Sequence, residues 1–150
     1  MRSLIVWIVL CFGAAAVGSR FMPGPWYASL RKPPWNPPDW VFGPVWTVLY
    51  LLMAVAAWRV WQSATPAERR LPIALFLVQL VLNAAWSWVF FGIRAPGPAF
   101  AHILVLWLMI LLTALSFRRV DRATGLLMLP YLAWVSFAAV LNGTIWRLNP

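Results

Sequence analysis

Apolar and polar positions fall in long blocks along this chain. Apolar runs occupy Leu4 to Phe21, Val41 to Trp61, Leu71 to Phe91, Ala99 to Phe117 and Ala123 to Trp146. Each is close to the roughly 20 apolar residues that span about 30 Å of hydrocarbon. The pattern predicts an all-α integral membrane protein, a five-transmembrane-helix bundle forming one domain over residues 1–150. The first run imitates a signal peptide, with Arg2, an apolar core and small residues AAAVGS. Two features favour a helix instead. The run reaches Val17 without a polar cleavage region, and Ala14 and Gly18 form a small-xxx-small pair suited to close helix packing in lipid. Asp39 is placed to cap the second helix, and Pro44 fits if it falls in that helix's first turn.

Composition agrees with the pattern. The chain is 63% hydrophobic and only 10% charged, too little polar surface for a soluble domain of this size. A net charge of +9 would suggest nucleic acid in a soluble protein. Here the basic residues sit at the ends of apolar runs, where they anchor helices at the headgroups. Arg2, Arg59, Arg69, Arg70, Arg118, Arg119 and Arg122 fall on one side, and Arg20, Arg31, Lys32, Arg94 and Arg147 on the other. That excess favours a cytoplasmic N-terminus. Helical bundles of bacteria ordinarily sit in the inner membrane, which is the favoured location, with the outer membrane as the alternative.

Much chemistry is excluded. The acids, Asp39, Glu68 and Asp121, all lie between the apolar runs. This argues against a carboxylate proton relay and against paired-carboxylate hydrolysis. Cys11 stands alone, so no disulfide framework or thiol metal site is expected. The single His102 cannot build a multi-histidine metal site. As a haem ligand it competes with the commoner structural role of a lone histidine. There is no glycine-rich phosphate loop. No catalytic residue is expected, and any chemistry would use aromatic rings with a bound cofactor or with light.

Twelve tryptophans are a large excess. Trp58, Trp61 and Trp146 end spans beside arginines and suit an interfacial belt. Others form stripes at helical spacing: Trp46, Tyr50 and Ala54; Gln79, Asn83, Trp86, Ser87 and Phe90; Tyr131, Trp134, Ala138 and Leu141. Gln79 and Asn83 find no partner in lipid and should face the bundle interior. They serve either as interhelical ties or as polar handles of an aromatic cavity. The segment RKPPWNPPDW, residues 31–40, packs four prolines and two tryptophans between two spans. Its extended backbone suits a lid, with Trp35 and Trp40 as seals and Arg31 and Lys32 as a basic rim. A plain rigid connector and a PxxP ligand are the alternatives.

The blocks WYASLRKPPWNPPDW, GPVWTVLY, QLVLNAAWSWVFFG and PYLAWVSFAAVLN resemble, in order and spacing, those of the TspO/MBR family of tryptophan-rich sensory and translocator proteins. The resemblance runs from about Gly13 to Arg147. It implies a homodimer of five-helix protomers that binds tetrapyrroles such as protoporphyrin IX, haem, and flat drug-like ligands beneath the first loop. No covalent cofactor is implied, and the partners are the porphyrin-type ligand and membrane lipid. By this resemblance Trp46 and Trp134 are pocket tryptophans, Asn83, Trp86 and Phe90 line the pocket, and Ala138 is a small wall residue. Trp35 and Tyr50 complete the expected ligand set. The resemblance to bacterial members also implies light-dependent porphyrin degradation, in which Trp46 and Trp134 would be the catalytic residues, and transport of tetrapyrroles is the alternative. Two departures from the animal proteins stand out. Gly143 stands where their proposed cholesterol motif has tyrosine, which weighs against cholesterol recognition. Pro98 and His102 replace a tryptophan and an aspartate.

Overall fold

A computed structural model describes residues 2–20 and 24–150. The helices are α1 (Arg2–Gly18), α2 (Pro25–Ser29), α3 (Asp39–Ser63), α4 (Arg70–Ser87, continued by a π-helical turn Trp88–Gly92), α5 (Pro96–Val120) and α6 (Arg122–Leu148). Four segments are long and apolar enough to cross a membrane: Asp39–Ser63, Arg70–Gly92, Pro96–Val120 and Arg122–Leu148. The first helix is shorter. Its 17 residues rise about 25 Å at 1.5 Å each, somewhat less than the hydrocarbon thickness. It stops at Gly18, before the expected end at Phe21, which lies outside the described residues. The described chain is thus all-helical and membrane-integral, with four helices long enough to span a membrane and one shorter apolar helix.

Expected and observed ends differ where local chemistry extends a helix. Pro96 can start α5 because a proline in the first turn loses no hydrogen bond. Asp121 caps α6, accepting from the Ala123 amide at 3.1 Å. Asp39 is not the cap of α3. It is the first helical residue, preceded by Pro38, and makes no capping hydrogen bond. Counting from Asp39, Pro44 is the sixth residue, beyond the first turn. The carbonyl it leaves without an intrahelical partner belongs to Trp40, an exposed residue. Thr65 and Glu68 close the turn before α4 reciprocally, at 2.9 and 3.3 Å, as a capping box does.

The helices close a ring in the order α1, α3, α6, α5, α4 and back to α1. Chain neighbours α3 and α4 touch only lightly, because α1 sits between them in the ring. Small residues set the closest approaches. The Ala14–Gly18 pair does so at α1: a Cβ on Gly18 would lie 3.6 Å from Ser87 Oγ and 3.8 Å from Ala84 Cα of α4. Between α5 and α6, a Cβ on Gly143 would lie 2.8 Å from the Phe100 ring. Outward positions such as Ile5, Val9, Leu77, Val81, Leu108 and Val140 are exposed, as helices facing lipid require.

Candidate functional site

The two halves of α3 have different side chains on their inner face. Its second half carries Met53, Ala54, Ala56, Ala57 and Val60, all buried. Its first half carries Phe42, Trp46 and Tyr50, and these large rings hold the helices apart. A cavity of about 280 Å³ results, near the lower end of the roughly 300–1,000 Å³ usual for small-molecule sites. It lies at the end of the bundle where α1, α4 and α6 finish and α3 starts.

Most of the expected ligand set reaches this cavity. Trp46, Tyr50, Asn83, Trp86, Phe90, Trp134 and Ala138 all line it. Trp46 is the hub of the aromatic wall. Its ring centroid lies 5.6 Å from Tyr50, 6.2 Å from Tyr131 and 6.5 Å from Trp134, the last pair edge to face at 88°. Such offset and edge contacts are the favoured aromatic geometries. Opposite, Trp86 stacks on Phe90 at 5.1 Å and 27°. Its indole N–H donates to Asn142 Oδ1 at 3.0 Å, and Asn142 in turn donates to the Pro96 carbonyl at 2.8 Å. These bonds tie α4, α6 and the start of α5 together behind the wall.

The mid-membrane amides are interhelical ties. Tyr50 donates its hydroxyl to Asn83 Oδ1. Asn83 Nδ2 donates to the Tyr131 hydroxyl at 2.7 Å, and Tyr131 donates to Gln79 Oε1 at 2.7 Å. This chain joins α3, α4 and α6 at the cavity floor. Asn83 therefore serves both readings, lining the cavity while held by two tyrosines. Trp46 and Trp134 lack hydrogen-bond partners for their indole N–H groups among the described residues. Among the described residues no charged side chain lines the cavity.

The expected lid residues lie elsewhere. Trp35 is outside the lining and sits edge to face on Phe137 at 5.7 Å. Trp40 is 74% exposed; it lies two residues, about 200° of helix, from the inward Phe42. The backbone of Arg31 is pinned to Asn149 by bonds of 3.0 and 2.8 Å. Lys32 bonds the carbonyls of Ala28 and Leu30, its Nζ 4.8 Å from the centre of the Tyr27 ring. Among the described residues of this connection, Tyr27 faces the cavity. It donates to Asn36 Oδ1 at 3.1 Å. Burial pushes its phenol above the usual range, against the opposing effect of that bond, so it stays a neutral donor at physiological pH. His102 is also committed: its Nε2 lies 2.7 Å from the Leu82 carbonyl, so this nitrogen carries the proton and ties α5 to α4. Among the described residues no group of three His, Cys, Asp or Glu side chains could hold a metal.

Sequence reasoning passed over several lining residues. Phe42, 6.0 Å from Trp134, extends the Trp46 stripe by four residues. Asn142 stands four residues beyond Ala138. Both were open to the same periodicity. Phe91 was not: the π-helical turn brings consecutive Phe90 and Phe91 to one wall, where an α-helix separates neighbours by about 100°.

A model of the TspO/MBR family matches residues 6–147. The chain is 44% identical to the tryptophan-rich protein TspO of Chlorobaculum tepidum, over 99% of this chain and 96% of that protein. It is 41% identical to the protein CrtK of Rhodobacter capsulatus, over 97% and 91%. With the human translocator protein it shares 40% identity over 89% and 82%. The chain therefore belongs to the TspO/MBR family.

Proposed function

We propose that this protein binds a tetrapyrrole or a similarly flat apolar ligand in the aromatic cavity and acts as a membrane-embedded sensor of it. The observation that carries the reading is the wall formed by Trp46, Tyr50, Trp86 and Trp134, which is apolar, flat-sided and uncharged. Such a wall favours an extended π-system over a polar solute. A macrocycle enters edge-on, and the free indole N–H groups of Trp46 and Trp134 are its available donors. Its carboxylates stay outside the apolar cavity, and Arg31 and Lys32 of the connecting segment are the basic residues that would have to swing from their present contacts to meet them. The ligand is porphyrin or haem, the working unit a homodimer, and the membrane the bacterial inner membrane.

Protoporphyrin IX quenching of tryptophan fluorescence tests this. Trp46→Phe/Trp134→Phe should weaken binding about tenfold, or about 1.4 kcal/mol; wild-type affinity in that variant would reject the assignment of these rings. A second reading rests on the same geometry. Trp46 stands within 6.5 Å of Trp134, Tyr50 and Tyr131, a ring cluster that would relay an electron from a light-excited porphyrin to dioxygen, the oxidant that degradation of the macrocycle consumes. Loss of the porphyrin absorption band under illumination, with and without the two tryptophans, separates this from simple photobleaching. Porphyrin flux in proteoliposomes separates the sensor from a transporter.

A further inference from the structure

We propose that the outer face of the α5–α6 hairpin binds an anionic phospholipid, its phosphate held by Arg118 and Arg122 and an acyl chain lying in the groove beside them. This groove of about 260 Å³ is lined by leucines, including Leu111, Leu115, Leu126 and Leu129, and by both arginines. It lies at the end of the bundle remote from the aromatic cavity. Its floor is Gly125, where a Cβ would come within 2.8 Å of Arg118 Cβ. The missing side chain lets α5 press onto α6 and lays the Arg118 stem along the groove.

The electrostatics select the headgroup. The acid of this hairpin, Asp121, is already engaged. Arg59 holds it at 2.8 Å, and its other oxygen caps α6. Arg118 and Arg122 have no ion-pair partner among the described residues. Two arginines lining one groove suit a phosphate, which each guanidinium can meet with paired N–H donors. The apolar part selects the source. Leu115, Leu126 and Leu129 are exposed on a face that looks into hydrocarbon, so the occupant arrives from the bilayer and brings an acyl chain. The same end carries Arg69, Arg70 and Arg119 as well, the bias of a side facing an anionic leaflet.

Native mass spectrometry of the full chain in a mild nonionic detergent tests this, with phosphatidylglycerol and phosphatidylcholine of matched acyl chains as probes. Wild type should retain phosphatidylglycerol preferentially. Arg118→Gln/Arg122→Gln should lower that retention on the order of tenfold or more, at about fivefold per arginine. Arg69→Gln/Arg70→Gln removes equal charge from another loop at the same end and should change it less than about twofold. Protoporphyrin quenching checks that each variant is folded, and Arg122→Gln alone replaces the double variant if the latter fails to fold. Equal retention of the two lipids by wild type would overturn the proposal. So would an equal loss in the control variant, or displacement of the lipid by inorganic phosphate as readily as by phosphatidylglycerol.

Discussion

The two ends of the bundle are built on opposite packing rules. At one end, buried Ala54, Ala56 and Ala57 of α3 let neighbours approach, and rings fill what remains. Phe76 stacks on Phe117 at 5.8 Å and 18°, and Trp7 meets Phe76 edge-on at 5.7 Å. Trp58 and Gln62 both bond Ser3 Oγ, at 3.1 and 2.8 Å, which ties the start of α1 to the end of α3. At the other end, α3 presents Phe42, Trp46 and Tyr50, too bulky to interdigitate. Between the two lies the chain of Tyr50, Asn83, Tyr131 and Gln79. One helix thus holds a closed half and an open half. Side-chain size, with little change in polarity, makes the difference.

The comparison can be broken at either end. The largest expected effect is on the open half. Ala138→Phe places a ring in the cavity and should weaken protoporphyrin IX binding about a hundredfold, equivalent to about 2.7 kcal/mol, while thermal stability in detergent stays near wild type. Phe76→Ala should do the reverse. It opens a void in the closed half and should cost about 2 kcal/mol of stability, at the low end for large-to-small core changes because the unfolded reference in a bilayer is already apolar. Porphyrin affinity should hardly move, and a loss of affinity matching the loss of stability would show that the halves are not independent. The smallest effect belongs to the boundary. Tyr131→Phe leaves Asn83 Nδ2 and Gln79 Oε1 without their shared hydroxyl, at a cost of about 1 kcal/mol, measurable as a modest fall in unfolding midpoint.

Much of the site was legible in the chain because helical periodicity is local. Trp46 and Tyr50, or Asn83, Trp86 and Phe90, must share a face once their segment is helical, whatever surrounds it. The amides had to turn inward, since lipid has nothing to bond them. The connecting segment was not legible in this way. Its prolines restrict the backbone but do not say where it drapes. Trp35 settles on Phe137 and Trp40 turns outward, while Tyr27, from a short helix within the connection, faces the cavity. The π-helical turn was equally hidden, because one extra residue in a turn leaves no mark in a hydrophobic pattern.

By itself the sequence determined the solvent, the helices and their inner stripes. Apolar length dictates a bilayer, and a 3.6-residue period dictates which side chains travel together. The ring order that sets α1 between α3 and α4, the tying of Asn83 by two tyrosines and the course of the segment over the bundle end were decided only by tertiary structure. Each depends on contacts between residues far apart in the chain, whose energies are set by the fit of whole surfaces rather than by spacing along one helix.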